Sequence, residues 1–430
     1  MKANKLTTWI MIAMVLGIVV GYVCNVSAPD AKSAKEIAGY FSIVTDVFLR
    51  LIKMIIAPLV FATLVAGIAS MGDAGAVGRI GIKALGWFIT ASLVSLALGM
   101  LFVNVLQPGH ALNLPLPEVG TATNLKTASL NLKDFITHVF PKSVFDALAQ
   151  NEILQILVFS LFFGFAIASF KGKVGHHLTA PIEDLVQVML RVTDYVMRFA
   201  PLGVFAAVAA AITVQGIGVL ATYGKFIGGF YFGLLALWLL LTGAGYLFLG
   251  PRVFTLLKLI REPTILAFST ASSEAAYPKT MEQMEKFGVP DKITGFVLPL
   301  GYSFNLDGSM MYQAFAALFI AQAYNIELSL TQQVTMLLVL MITSKGIAGV
   351  PRASIVVVAA TLPMFNLPEA GLLLIMGIDQ FLDMGRTATN VVGNSIATAV
   401  VAKWEGELGP TRAVDQEGML EAPVLRVRAS

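Results

Sequence analysis

Residues 377–394, GIDQFLDMGRTATNVVGN, decide how the rest of the chain is read. They lie inside a long apolar segment, Leu372 to Trp404, yet carry Asp379, Asp383, Arg386, Thr387, Asn390 and Asn394. At about 100° per residue these six positions fall within an arc of roughly 100° on one helical face. The opposite face is Ile378, Phe381, Leu382, Val391, Val392 and Ile396. A helix apolar enough to enter a bilayer thus hides a polar stripe with both charge signs. Each ionised group at mid-membrane costs on the order of 2.5–3.5 kcal/mol, so the stripe requires a reason. A structural ion pair, Arg386 with Asp383 one turn away, is the simpler reading. It leaves a second Asp, a Thr and two Asn on the same face unexplained. A binding face for a small charged solute accounts for all of them.

The 430 residues are 57% hydrophobic and only 13% charged, with a mean hydropathy of +0.79. Globular chains carry about 25% charged residues, so the composition indicates an all-α polytopic membrane protein. The net charge of +3 is scattered along the chain and does not point to nucleic acid. Cys24 is the only cysteine, which excludes an intramolecular disulfide and a thiolate metal cluster. Gly21-Tyr22-Val23 before it lacks the small-residue pattern of a lipoprotein signal. The N-terminal run Thr8–Val23 resembles a secretory signal, but the many later spans favour a retained first helix. Asn25-Val26-Ser27 matches a glycosylation acceptor by a pattern too short to carry weight.

About 20 apolar residues cross the hydrocarbon. Candidate spans are 8–24, 41–70, 80–106, 153–170, 182–213 with a kink at Pro201-Leu202-Gly203, 217–249, 293–322 and 372–404. Residues 107–132 read as an extended surface loop. Lys2, Lys5, Arg79, Lys83, Lys403, Arg412, Arg426 and Arg428 gather on one side, which places both termini in the cytoplasm. The tail after Lys403 reads as solvated. After residue 250 a pattern occurs twice. A helix too short to span meets a Ser- or Gly-rich tip, at 270–274 and again at 345–352; a short return and a full span broken by polar residues follow. That is the pattern of inverted repeats with re-entrant hairpins and a midplane site.

Each polar stretch offers different chemistry. Ser272 and Ser273 open a helix whose free N–H groups attract a carboxylate. Asn305 and Asp307, with carbonyls of a 301–309 segment unwound at Gly308, suit a cation or a proton. Arg386 holds a second carboxylate in a two-pronged hydrogen bond, and Asp383 takes an ammonium. Together these fit aspartate or glutamate. Glu274 is either a solvated loop carboxylate or a proton carrier. Arg352 either reaches the headgroups or guards the substrate entrance. Gly346, Gly349 and Pro351 suit a tip that opens and closes. His110, His138, His176 and His177 read as loop residues without a metal role.

Taken together the chain resembles the dicarboxylate/amino acid:cation symporter family, the glutamate transporters, over nearly its whole length. The motifs are Ala271-Ser272-Ser273-Glu274, Asn305-Leu306-Asp307-Gly308-Ser309, Gly349-Val350-Pro351 and Asp379…Asp383-Met384-Gly385-Arg386-Thr387…Asn390. The 301–309 run and the ending Val400–Glu405 most resemble bacterial proton/glutamate–aspartate symporters of the inner membrane. The resemblance implies eight transmembrane helices, two re-entrant helical hairpins and an elevator motion in a homotrimer. A scaffold would comprise 1–70 and 133–213, the latter forming the trimer contact. A transport domain would comprise 80–106 and 217–404, with hairpin 1 at 253–287, helix 7 at 289–323, hairpin 2 at 330–365 and helix 8 at 369–404. Residues 107–132 would be an extracellular loop and 405–430 a cytoplasmic tail. By the motif, Arg386 would bind the substrate side-chain carboxylate and Asp383 the amino group. Thr387, Asn390, Ser272, Ser273, Ser309 and the backbone at Gly349, Val350 and Pro351 would complete the site. Gly346, Gly349 and Arg352 would form the gate.

Departures from the family pattern bear on the coupling ion. Sodium-coupled relatives carry Asp where Asn394 stands, Met where Leu306 stands, and a Tyr with a following Thr-Ser where Phe88 and Ala91-Ser92 align. Each change removes a ligand that a hard cation would use. The animal transporters carry Glu at Gln313. Some relatives have an extra Arg where Thr270 or Met384 stands, and the C4-dicarboxylate members lack an acid at Asp383. The expectation is a proton-driven importer of L-aspartate and L-glutamate, with Glu274, Asp307, Asp379, Asn305 and Asn394 in ion coupling. The alternative is sodium coupling, with sodium at Asn305 and Asp307, or C4-dicarboxylate transport. No cofactor is expected. An intramembrane aspartyl protease using Asp307 and Asp383 is disfavoured, because Arg386 would hold Asp383 ionised and no proton could be shared. A channel would not need both charge signs in one stripe.

Overall fold

A computed structural model describes residues 3–71, 74–110, 116–117, 137, 139–170, 173–217, 223–344, 353–376 and 378–412, and every regular element among them is helical. Helix α1 (Ala3–Ser27) is followed by Asp30, whose carboxylate accepts Ser33 N–H at 2.7 Å and so caps α2 (Ala31–Met71). Helix α2 has 41 residues and starts well before the apolar run at Phe41. Its first turns, Ala31, Ala34, Lys35, Glu36 and Ala38, are good helix formers that hydropathy does not register. Pro58 lies inside α2, and the neighbouring Ala57 N–H is accepted by Asn151 Oδ1 at 3.1 Å.

Then come α3 (Ala74–Leu106), α4 (Val144–Gln150), α5 (Ile153–Ser169), α6 (Lys173–Met197) and α7 (Ala200–Gln215). The expected single span 182–213 is two helices bent by 53°. The break falls at Arg198-Phe199 rather than at Pro201, because Pro201 sits in the first turn of α7, where no N–H is required of it. His176 and His177 lie within α6, not in a loop. Helix α1 lies so close to α7 that a Cβ at Gly17 or Gly21 would stand 2.8 Å from the carbonyl of Phe205 or Ala209. Asn25 Nδ2 donates to Thr213 O at 2.8 Å, so the Asn25-Val26-Ser27 triplet makes an inter-helix contact. Helices α1, α2, α5, α6 and α7 form one packed group.

The second group is α3 with α8 (Gly224–Leu249), α9 (Arg252–Leu259), α10 (Arg261–Thr270), α11 (Ser273–Phe287), α12 (Asp291–Phe304), α13 (Asp307–Ala323), α14 (Leu330–Thr343), α15 (Ala353–Thr361), α16 (Leu372–Met376) and α17 (Asp379–Trp404). Helix α14 starts at a capping box, Ser329 with Gln332. Helix α17 is the centre of this group and touches α3 and α8 through α13. It is buried without interruption from Gly385 to Ala402, as a helix surrounded on all sides must be. Its hydroxyls on Thr389, Ser395 and Thr398 donate to the carbonyls of Gly385, Val391 and Asn394, which satisfies them inside the helix. The two groups meet where α2 crosses α12, and a Cβ at Gly295 would lie 3.0 Å from Thr63.

Among the described residues four helices are long and apolar enough to cross a membrane, 8–27, 31–69, 75–106 and 224–249, or five if the bent α6–α7 pair is one span. Helix α5, at 17 residues, is shorter. The expected spans 293–322 and 372–404 are each interrupted, at Asn305-Leu306 and just before Asp379. Most of 107–132, the 345–352 tip and 413–430 lie outside the described residues. The tail directly after Lys403 is solvated only in part: Glu405, Glu407, Leu408 and Gly409 are partly covered, while Gly406, Pro410, Thr411 and Arg412 are exposed. It folds back, and Gly409 N donates to Gly288 O at 2.9 Å.

The α1–α7 crossing yields a stability prediction. Gly21→Leu would force these helices apart and is expected to cost about 1–3 kcal/mol, seen as a lower unfolding temperature of the detergent-solubilised protein. An unchanged melting curve would contradict the close crossing.

Candidate functional site

The site is built where three helix breaks converge on α17. The first break leaves Asp379 in the opening turn of α17. Arg386, two turns on, turns its guanidinium back along the helix. Nη1 donates to Asp379 Oδ1 at 2.9 Å, Nη2 to Asp379 Oδ2 at 3.5 Å, and Nε to Asp383 Oδ1 at 2.8 Å. Thr387 Oγ1 donates to the same Asp383 oxygen at 3.0 Å. The side chains of Arg386 and Asp379 are 2% exposed, whereas that of Asp383 is 24% exposed. Asp383 is therefore the acid of the three that faces outward from the cluster.

Tyr312, on α13, completes the arrangement. Its hydroxyl donates to Asp379 Oδ1 at 3.1 Å, and its ring lies under the guanidinium, 4.3 Å from centroid to Cζ. Sequence reasoning missed this residue. It stands one turn beyond Gly308 on an aromatic-rich helix, where it looks like any core tyrosine.

The second break separates α12 from α13 by only two non-helical residues, Asn305 (φ −118°) and Leu306 (φ −102°). Gly308 does not provide the expected unwinding, because it is helical. Its role is proximity: a Cβ there would press on the backbone of Arg386, with Cα at 2.7 Å. The first N–H groups of α13 have no partner within their own helix. Asn390 Oδ1 accepts two of them, Gly308 N at 2.9 Å and Ser309 N at 3.4 Å, while Asn390 Nδ2 donates to Ser309 Oγ at 3.2 Å. Asn390 thus caps α13 from α17.

One turn further along, Asn305 Nδ2 donates to Asp307 Oδ2 and to Asn394 Oδ1, both at 3.2 Å. All three residues are fully buried. Asn305 Oδ1 and Asn394 Nδ2 have no hydrogen-bond partner among the described residues. A Cβ at Gly301 would collide with Asn394 Oδ1, and one at Gly393 with Asp307 Oδ2, so glycines make room for both groups. Phe88 and Ser92 are buried on α3, and Phe88 reaches 3.3 Å from the Gly301 Cβ position. Gln313 is also buried.

The third break is the α10–α11 turn. Ala271 takes a left-handed conformation (φ 49°), and Ser272 Oγ accepts Ala275 N–H at 3.2 Å as the cap of α11. The Ser272 hydroxyl is thereby engaged by its own helix, while Ser273 and Glu274 form the first turn. Ala267, Ala276 and Val391 pack together, which sets this turn beside α17 near Asn390. Arg386, Asp383, Asp379 and Thr387 form one bonded cluster, Asn390 and Ser309 a second, and Asn305, Asp307 and Asn394 a third. Ser272, Ser273 and Glu274 approach α17 through the packing of their helices. Gly346, Gly349, Val350, Pro351 and Arg352 lie outside the described residues.

The chain belongs to the sodium:dicarboxylate symporter family, whose model matches residues 6–404. It is 41% identical over 415 residues to the proton/sodium-glutamate symport protein of Bacillus caldotenax, covering 95% of this chain and 96% of that one. It is 40% identical over 415 residues to the proton/glutamate-aspartate symporter of Escherichia coli (strain K12), covering 95% and 94%. It is 39% identical over 413 residues to the C4-dicarboxylate transport protein of Laribacter hongkongensis, covering 95% and 92%. The protein is accordingly a transporter and not an enzyme.

A buried charge stripped of its partner is costly. Arg386→Met leaves Asp379 and Asp383 facing each other and is expected to lower stability by roughly 3–5 kcal/mol. Adding Asp379→Asn and Asp383→Asn should recover most of that loss in the unfolding temperature. Failure of the triple variant to recover any would show that the charges do not act as a unit.

Proposed function

We propose that the protein is a secondary active symporter that imports aspartate and glutamate, driven by protons. The observation that carries this reading is the Arg386 fork held between Asp379 and Asp383 on one buried helical face. A guanidinium has five N–H donors, and three are engaged here. A substrate side-chain carboxylate approaching Arg386 shares the fork with Asp379 or displaces it. Asp383, the more exposed acid, would take the substrate ammonium. Thr387, Asn390, Ser309, the Ser272–Ser273 turn and the second tip at Gly349, Val350 and Pro351 would enclose the rest, with Gly346 and Arg352 at the gate.

Charge accounting supports a coupled cation. Arg386 with two ionised aspartates leaves one excess negative charge, and an acidic amino acid adds another. Two negative charges out of water call for compensation by a positive ion. The Asn305–Asp307–Asn394 cluster favours a proton in that role. Asn305 Nδ2 already donates to Asp307 Oδ2 and Asn394 Oδ1, which leaves Asn305 Oδ1 as the cluster's unpartnered amide oxygen, whereas a hard cation requires several oxygens turned toward it. Glu274, Asp307 and Asp379 are the candidate carriers. The relatives' names include both proton and sodium, and both acidic amino acids and C4-dicarboxylates. Sodium-coupled or C4-dicarboxylate transport is therefore the second reading. We further assign both termini to the cytoplasm of a bacterial inner membrane, two re-entrant hairpins at 253–287 and 330–365, and an elevator motion of 80–106 with 217–404 against the remainder, in a homotrimer.

The test is uptake of radiolabelled aspartate and glutamate into proteoliposomes, with a pH gradient or a sodium gradient imposed separately. Uptake driven by inward protons without sodium is expected; background uptake until sodium is added would overturn the proton assignment. Leu306→Met with Asn394→Asp should introduce a sodium requirement. Asp383→Ser is expected to lower aspartate uptake by about 100-fold through loss of the ammonium partner. Aspartate uptake at the wild-type level in this variant would remove Asp383 from amino-group recognition.

A further inference from the structure

The segment from Trp404 to Arg412 ties together elements that are distant in sequence. The Glu405 carboxylate meets Arg79 Nε at 2.9 Å and Lys83 Nζ at 2.6 Å, both from α3. Burial acts to raise the Glu405 carboxyl, but hydrogen bonds from Lys83 and Arg79 outweigh it and hold the group below the usual carboxylate range. Glu407 pairs with Lys292 of α12 at 2.6 Å. Beyond these ion pairs lies a backbone contact with the α11–α12 turn. Gly409 N donates to Gly288 O and Arg412 N to Lys286 O, each at 2.9 Å. Gly288 has φ +107°, and a Cβ there would stand 2.5 Å from Gly409 O, so a glycine is required on both grounds.

Arg252, opening α9, fastens the contact. Its Nη2 donates to Phe287 O at 3.0 Å and to Gly409 O at 2.7 Å, and its guanidinium stacks 4.9 Å from the Phe287 ring centroid. Arg79 is more than half exposed, and exposed ion pairs contribute little alone. The half-buried Arg252, which bridges two carbonyls from different segments, is the stronger link.

We propose that Trp404–Arg412 is a brace that holds the α11–α12 turn against the end of α17, with Arg252 as its positioning residue. Helix α11 runs from the Ser272 cap to Phe287. A helix transmits an axial displacement along its length, so fixing its Gly288 end fixes the Ser272–Ser273 turn relative to the Arg386 face of α17. The brace therefore sets the substrate site from the far end of a helix. This rests on the reading of Ser273 as part of that site.

The experiment pairs hydrogen exchange with uptake kinetics, comparing truncation after Arg412, truncation after Trp404, Arg252→Ala and Arg252→Lys. Truncation after Arg412 keeps every contact named above and is expected to leave KM for aspartate unchanged. Truncation after Trp404 and Arg252→Ala are expected to raise KM about tenfold with a much smaller change in kcat, the scale of losing hydrogen bonds to a charged group. Arg252→Lys keeps the charge but not the two-carbonyl bridge, and it should resemble Arg252→Ala. The amides of Gly409 and Arg412 should exchange about tenfold faster in Arg252→Ala, with α13 unaffected. Exchange is measured on solubilised protein and stands even if the wild-type chain takes up neither amino acid. If truncation after Trp404 prevents folding, Arg252→Ala decides. Wild-type KM in Arg252→Ala, full rescue by lysine, or unchanged exchange at Gly409 would overturn the proposal.

Discussion

A guanidinium buried inside a bundle must be neutralised by neighbours fixed in place, and this requirement organises the whole second group of helices. Arg386 has two carboxylates within reach because Asp383 and Asp379 lie one and two turns behind it on the same face of α17. Had the 372–404 segment continued as one unbroken helix, Asp379 would still lie on the right face. The break before it puts Asp379 at a helix N-terminus, where a negative charge is favoured. Tyr312 then seals the cluster from α13, with a hydroxyl for Asp379 and a ring for the cation. Burying the charges and packing α13 on α17 are one problem with one solution.

Close approach makes the remaining polar contacts possible. Gly301, Gly308 and Gly393 remove the atoms that would separate α12 and α13 from α17. Asn390 can then serve as a cap for a helix to which it does not belong, and Asn305 can reach both Asp307 and Asn394. Backbone groups freed by a helix break inside a membrane need such substitutes. The break is short, two residues, because so few donors and acceptors can be satisfied this way.

What the sequence revealed follows from what periodicity can carry. The polar stripe on 377–394 was legible because its spacing is local and helical. The pairing of Arg386 with Asp383, three residues away, is also visible. Its second engagement, with Asp379 seven residues away, depends on side-chain direction and is not readable from spacing. Tyr312 was hidden because its role is defined by another helix. The start of α2 was missed because Lys35 and Glu36 lower hydropathy without opposing a helix. His176 and His177 read as loop residues for the same reason, since polarity alone does not end a helix. The docked tail at 404–412 was unreadable, because its contacts are carbonyls of a distant turn. The break between α6 and α7 was anticipated near Pro201 but displaced to the residues before it.

The placement of charge along α2 has a consequence for its depth in the lipid. The 31 residues from Phe41 to Met71 carry Asp46, Arg50 and Lys53 in their first half, so the uncharged run is Met54–Met71, about 27 Å at 1.5 Å per residue against about 30 Å of hydrocarbon. A run of that length needs no large tilt, and the charged turns before it belong toward the headgroups, where long basic side chains reach water. The crossing with α12 at Thr63 and Gly67 lies inside the uncharged run. The contact between the two groups of helices is thus made at hydrocarbon depth, away from the charged turns of α2.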